Sequence, residues 1–372
     1  MVTVDTFRLM LWISKSVYEQ LKRMPGMVQR SKNIHSSSYY SRKGITHIEI
    51  KVYRYKDKKC GAEVKSYYLT LGFHADTVMG GSRVRALSLD AYTPGEIAAQ
   101  IRKRIYEVNE LRVLGIYRMD LSEWKLERID FARDIKADAP CLLAFMLNRS
   151  FPYSYLGMEP FSGGSQIQQF ESCYFKNKSR RINFYDKLAE INSRTIPLGS
   201  MEDLKDKTFR VEIQLMKKGV ENLTRNSKCT NKRDILPLLD GNSAYGYLER
   251  EVLNIFGKEP YICRSAALGR IRQSRFKPSE QTVMAEIIKT IDYYKDLFHL
   301  EKAIAAGQAP PEFGSLKDFR KMLKKIRSLG FNPVTLPDCL AGTKYAELPS
   351  LYELLQQSKR KGGIANGNAD ST

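Results

Sequence analysis

Apolar and polar residues alternate one for one along four stretches of the sequence. In Ile45–Tyr53, Thr46, Ile48, Ile50 and Val52 share one side, and His47, Glu49 and Lys51 share the other. In Leu126–Ile135, Ile129 and Phe131 oppose Arg128, Asp130 and Asp134. In Arg181–Tyr185, Ile182 and Phe184 oppose Arg181, Asn183 and Tyr185. In Phe209–Leu215, Phe209, Val211, Ile213 and Leu215 oppose Arg210, Glu212 and Gln214. Strand side chains alternate between two faces, so this period predicts strands with one buried and one wet face. Thr3–Ile13, Val64–Phe73 and Ser172–Lys176 are read as further strands, with Lys176–Ser179 as a hairpin turn.

Spacings of three and four residues take over elsewhere. Pro94 opens a predicted helix over Glu96–Leu111, whose Ile97, Ala98, Ile101, Ile105, Val108 and Leu111 form a core stripe. Lys15–Met24, Pro140–Asn148, Ile235–Leu239, Ala244–Phe256, Gln281–Ala305 and Leu316–Leu329 are also read as helices. The polar, Ser- and Gly-rich runs Gln29–Arg42 and Pro152–Gln169 are read as loops, and Ser358–Thr372 as a disordered tail. The expected fold is α+β: a mostly antiparallel sheet with helices on one face, then a helical C-terminal region. A boundary near 225–235 gives domains at 1–230 and 231–357, ahead of the tail at 358–372.

Charge narrows the function. The 372 residues carry 61 Lys and Arg against 41 Asp and Glu, a formal net charge of +20. Such an excess repels itself in a folded chain and points to an acidic partner, nucleic acid before a membrane surface. The six cysteines (Cys60, Cys141, Cys173, Cys229, Cys263 and Cys339) are far apart and show no zinc spacing, as expected of reduced thiols in a cytoplasm. No stretch approaches a membrane span, and the early apolar run Leu9–Ile13 is too short for a signal peptide. No Walker A pattern occurs, which argues against a built-in helicase motor.

The polar strand faces carry the candidate chemistry. Asp130 and Glu212, acids from separate strands, are candidate oxygen ligands for a hard divalent ion such as Mg2+ or Mn2+. Tyr185, on an intervening strand, is a candidate nucleophile toward a phosphate. A tyrosine needs help in that role: with a reference pKa of about 10, only about one in a thousand is phenolate at neutral pH. Lys187 is placed to favour the phenolate or hold the phosphate. The same alternation is also what an ordinary sheet with a solvated outer face shows.

Three segments in order, LERIDFARDI, RRINFYDKLAEI and FRVEIQL, resemble the filamentous-phage replication initiators of the gene II protein family. They are also similar to plasmid rolling-circle initiators of the Rep_trans type. Tyr185, Lys187 and Glu190 match the nucleophile motif, Arg128 and Asp130 the Arg-x-Asp strand, and Arg210 and Glu212 the Arg-x-Glu strand. The resemblance spans roughly residues 40 to 220 and implies an HUH-endonuclease-like sheet. It implies a metal-dependent enzyme that nicks one DNA strand, keeps its 5′ end on Tyr185 and frees a 3′ end for a host helicase and polymerase. Its catalytic residues would be Tyr185, Lys187 and Glu190, and Arg128 and Arg210 would brace carboxylates or touch DNA. The sequence departs from the pattern at Thr70, where the family places an acid, so Glu49 or His47 is the substitute metal ligand. No His-x-His pair is present among His35, His47, His74 and His299.

The helix Leu316–Leu329 adds a basic face. Lys317, Arg320, Lys321, Lys324, Lys325 and Arg327 surround an apolar stripe, as on a helix lying on duplex phosphates or on a solvated surface helix. The partners expected are single-stranded and duplex origin DNA and no membrane, in a bacterial cytoplasm. A nucleic-acid-binding protein without catalysis fits the same charge, and a relaxase of a mobile element would share the nick.

Overall fold

A computed structural model describes residues 3–41, 44–57, 60–81, 86–137, 156–161, 172–187, 189, 208–224, 233–294 and 297–364. The chain divides into two compact units, each assembled from separate segments. The first comprises Met1–Arg133, Lys178–Ile182 and Glu212–Leu248; the second comprises Asp134–Asn177, Asn183–Val211 and Glu249–Thr372.

The first unit is built on an antiparallel sheet. Its strands are β1 (Thr3–Ile13), β2 (Val28–Ser31), β3 (Ile34–Ser37), β4 (Ile45–Lys56), β5 (Glu63–His74), β6 (Leu87–Ser88) and β7 (Lys125–Lys136). Their order is β2-β3-β4-β5-β1-β7, with β6 pairing the start of β1. The run read as a loop at Gln29–Arg42 in fact holds the β2–β3 hairpin. No residue of Val28–Ser31 is buried, so β2 has no apolar face to betray it.

One face of this sheet is core. Phe7 stacks on its register partner Phe73 with ring centroids 5.0 Å apart, and Leu9, Leu71, Ile48 and Ile129 are fully buried beside them. Tyr18 of the helix Lys15–Leu21 packs against Tyr67 on this face, ring centroids 5.0 Å apart. The helix Pro94–Tyr106 opens with a capping box in which the Thr93 side chain accepts from the Glu96 N–H and Glu96 accepts from the Thr93 N–H. Its buried stripe is Ile97, Ile101 and Ile105. The single helix expected over Glu96–Leu111 is two, because the chain leaves the helix at Glu107 and restarts as Asn109–Val113.

Two further strands, β10 (Arg180–Asp186) and β11 (Thr208–Met216), contribute residues to both units. β11 corrects the sequence reading. Its polar residues Arg210, Glu212 and Gln214 are 1%, 5% and 8% exposed, so both faces are buried and neither stays wet. Alternation reports which residues share a side; it does not report whether the polar side is covered.

In the second unit, β9 (Ser172–Lys176) pairs antiparallel with β8 (Leu156–Phe161), a strand within the run read as a loop. The helical part holds Arg264–Arg272, Pro278–Tyr294, Leu297–Ala305, Leu316–Arg327 and Leu351–Ile364. The periodic run Gln281–Ala305 is helical over Pro278–Tyr294 and Leu297–Ala305, Arg264–Arg272 is an unforeseen helix, and helix replaces the expected tail as far as Ile364. Leu316–Arg327 starts at a Ser315–Asp318 capping box and buries Phe319, Leu323 and Ile326. Its C-cap is Ser328, and the chain turns away at Gly330, φ 81°. The helix expected at Pro140–Asn148 lies outside the described residues.

Candidate functional site

The polar face of the first unit gathers charged groups from β1, β4, β5, β7 and β11. Two bulges in the β1–β7 pair enrich it. Between the partners Val4–Phe131 and Phe7–Ile129, two β1 residues, Asp5 and Thr6, oppose the single Asp130. Between Arg8–Arg128 and Leu9–Leu126, β7 carries the extra residue Glu127. A bulge puts two successive residues where alternation allows one. Both show in the sequence as two polar residues between buried apolar ones, Val4-Asp-Thr-Phe7 and Leu126-Glu-Arg-Ile129. Strict alternation missed Asp5 and Glu127 for this reason.

Asp130 is the centre of the cluster. It is 1% exposed, and the Arg128 guanidinium grips it in a fork, Nε donating to Oδ1 at 2.7 Å and Nη2 to Oδ2 at 2.5 Å. The Thr6 hydroxyl donates a short hydrogen bond to Oδ2. Burial raises the Asp130 pKa to about 6; the Arg128 hydrogen bond opposes that rise, and the negative charge of Glu212 adds to it. Asp130 and Glu212, chosen from the sequence as two acids on separate strands, therefore do come within electrostatic reach of each other. The Glu212 carboxylate also accepts from Gln214 Nε2 at 2.6 Å.

Arg8 joins the cluster, a residue that no motif marked. It pairs in register with Arg128 on one side and Gly72 on the other. Burial and then Arg128 lower its pKa, while Glu49, Asp130 and Glu127 raise it. Glu49 sits further along the face, where its carboxylate meets the Lys51 ammonium at 2.6 Å. Lys51 lies 3.7 Å from Glu127, which accepts from the Thr70 hydroxyl at 3.3 Å. Thr70, standing where the resembled family has an acid, is thus tied to the carboxylate that the bulge supplies.

His47 pairs with Gly72, and a Cβ on Gly72 would collide with its imidazole. Burial and then Arg8 push the His47 pKa down to about 4, so it is neutral at pH 7. Among the described residues, the charges brought together are five acids, Asp5, Glu49, Glu127, Asp130 and Glu212, and three cations, Arg8, Lys51 and Arg128. A chain of net charge +20 thus holds a local excess of acid on this face.

Among the described residues no group of three or more His, Cys, Asp or Glu is arranged to hold a divalent ion. Both Asp130 oxygens are taken by Arg128, and Glu49 is spent on Lys51. The described residues as arranged do not fit an ion centre.

Tyr185 belongs to the second unit and is described there. Its neighbour Phe184 anchors β10, stacking on Phe209 at 6.0 Å and meeting Phe256 edge-on at 5.3 Å. Strand alternation then turns the half-buried Tyr185 away from that aromatic core. The Lys187 side chain is 5% exposed and sets its ammonium 5.7 Å from the centre of the Tyr185 ring. Glu190 lies outside the described residues. Tyr174, on β9, has Lys176 over its ring in the same way, at 5.5 Å.

Arg210, also of the second unit, forks onto Asp134, with Nε 2.5 Å from Oδ1 and Nη2 2.7 Å from Oδ2. On the helix Leu316–Arg327, Lys321 and Lys324 are exposed, whereas Lys325 reaches Glu280 at 2.5 Å and Arg320 forks onto Glu301 at 2.9 Å and 3.0 Å. Part of the basic face foreseen for DNA is thus used to tie helices together.

No family model matches the chain, and no curated protein matches it. It is similar to a solved structure described as a rolling circle replication initiator protein from Geobacillus stearothermophilus, at 14% identity with a TM-score of 0.28, covering 65% of this chain and 96% of that one. A TM-score that low does not define a shared fold. Among the described residues no helix is long and apolar enough to cross a membrane.

Proposed function

We propose that the protein initiates rolling-circle DNA replication by nicking and rejoining one strand through Tyr185. The observation that carries this reading is the convergence of Asp130 and Glu212 beside Arg8 and Arg128, a mixed acid–base cluster on the sheet face of a strongly basic chain. Arginines offer donors to a phosphodiester, and buried carboxylates hold those guanidinium groups in fixed orientation. A structural ion-pair network needs no such concentration of like-charged acids, which repel one another.

In the proposed reaction the Tyr185 oxygen attacks the scissile phosphorus and loses its proton. The bond from phosphorus to the 3′ oxygen breaks, that oxygen takes up a proton, and the 5′ phosphate stays esterified to tyrosine. One phosphate ester replaces another, so no ATP is spent, and a second attack by a 3′ hydroxyl reverses the step. Lys187, over the Tyr185 ring, supplies positive charge that favours the phenolate. The origin-DNA partner and the host helicase and polymerase belong to this proposal.

The test is a denaturing gel of the protein with labelled single-stranded oligonucleotides in Mg2+, Mn2+ or EDTA. A protein–DNA band that survives SDS in wild type and disappears in Tyr185→Phe is expected, and the three buffers read the metal requirement. Absence of that band from single-stranded and supercoiled origin substrates, with binding intact, would leave a nucleic-acid-binding protein without catalysis.

A further inference from the structure

Along the same polar face, away from the acid cluster, the sheet exposes aromatic rings. Trp12 is 64% exposed, Tyr53 50% and Tyr55 52%. Register puts them on one side: Trp12 pairs with Tyr68, Tyr68 with Lys51, and Tyr53 and Tyr55 follow Lys51 at two-residue steps. Tyr68 and Tyr53 meet edge-on with centroids 5.3 Å apart. Trp12 and Arg8 share this face of β1 four residues apart, a distance of roughly 13 Å at about 3.3 Å per residue.

The ribbon that bears the two tyrosines runs past its neighbours. β5 pairs with β1 only as far as Tyr67–Ile13, whereas the β4–β5 ladder continues to Lys56–Glu63. A two-stranded ribbon has little core to stabilise it, and nothing in folding calls for large rings on its open side. The described residues of this ribbon carry Lys51 on the side of the rings and Arg54, Lys56 and Lys65 on the other side, against Asp57 and Glu63. Rings on one side of a ribbon of net positive charge match a chain of flat bases joined by phosphates. Along one strand face such rings sit about 7 Å apart, wider than the 3.4 Å rise of stacked duplex bases. That spacing suits bases pulled out of a stack.

We infer that Trp12, Tyr53, Tyr55 and Tyr68 form a stacking platform for single-stranded DNA, the basic β4–β5 ribbon following its phosphates. The inference rests on the nicking reading only for the identity of the nucleic acid, and it names where the unpaired strand lies relative to the acid cluster of the same unit. Bases held on the platform feed a phosphate toward Arg8 and Arg128.

The two tryptophans make the test direct, since Trp124 is 1% exposed and Trp12 is open. The full-length chain is titrated with oligo-dT, following intrinsic tryptophan emission and the anisotropy of a labelled oligonucleotide, with a duplex as comparison. Quenching of Trp12 emission is expected. Trp12→Ala is expected to weaken single-strand binding roughly 5- to 100-fold, the span of one base stacked on one ring. Trp12→Phe should restore most of that affinity, and duplex affinity should not change. An unaltered single-strand affinity in both Trp12→Ala and Tyr53→Ala, an unquenched wild type, or equal losses for single strand and duplex would each overturn the platform. Trp12-dependent binding without a Tyr185 adduct would remove the nicking reading and keep the platform; an adduct with Trp12-independent binding would do the reverse.

Discussion

Two arginine–aspartate forks of nearly the same geometry are buried in opposite senses. In the first unit Asp130 is the buried partner at 1% exposure and Arg128 is 23% exposed; in the second Arg210 is buried at 1% and Asp134 is 38% exposed. An arginine does not give up its proton in a protein, so Arg210 enters the interior charged and its acid serves it. Asp130 is different. Its charge is set by burial, by Arg128 and by Glu212, and its pKa lies within reach of ordinary pH. The lesson is that a buried guanidinium holds a fold together, whereas a buried carboxylate among other acids keeps chemistry in reserve.

The widest separation between the two forks is expected in activity. Asp130→Asn keeps the shape and removes the charge, so adduct formation should fall by at least about 100-fold, with a melting temperature within a few degrees of wild type. A variant that nicks normally would reduce this fork to a structural pair. The second fork should behave in the opposite way. Asp134→Ala takes a partner from a buried cation and is expected to cost about 3 kcal/mol in chemical denaturation. The molecules that remain folded should still form the adduct, and a full loss of adduct at unchanged stability would erase the contrast.

The smallest expected effect is in pH dependence, and its signs oppose. The His47 pKa is lowered in the fold to about 4 from 6.5, so its contribution is present above about pH 6.5 and is lost as pH falls through about 4. The Asp130 pKa is raised to about 6 from 3.8, so its contribution is present below about pH 4 and is lost as pH rises through about 6. In urea titrations with EDTA, His47→Gln should therefore flatten the acid loss, and Asp130→Asn should remove a loss that comes with rising pH. Identical pH slopes for wild type and both variants would show that neither group titrates differently in the folded chain.

Much of the architecture was legible. The core of β4, β7, β10 and β11 falls where alternation placed it, because side-chain period and strand pleat are the same quantity, and β1, β5 and β9 fall where further strands were read. The choice of Asp130 and Glu212 as a pair was legible too, since each sits on the polar side of such a strand. Asp5, Arg8 and Glu127 were not, for two reasons. Asp5 and Glu127 reach the face through bulges, which a strict period of two excludes even though the doublets Asp5-Thr6 and Glu127-Arg128 stand in the sequence. Arg8 has no motif and gains its meaning only from strand partners more than sixty residues away in sequence.

By itself, then, the sequence determined the alternating strands, the periodic helices, the basic excess and the polar residues of each alternating strand, because all of these follow from local period and composition. Tertiary structure alone decided that β11 is buried on both sides, that Arg128 occupies Asp130 while Arg210 turns to Asp134, and that Trp12 stays exposed as Trp124 is covered. The physical reason is range. Alternation is set between residues one and two apart, whereas burial, ion pairing and pKa depend on which distant strand the register brings alongside.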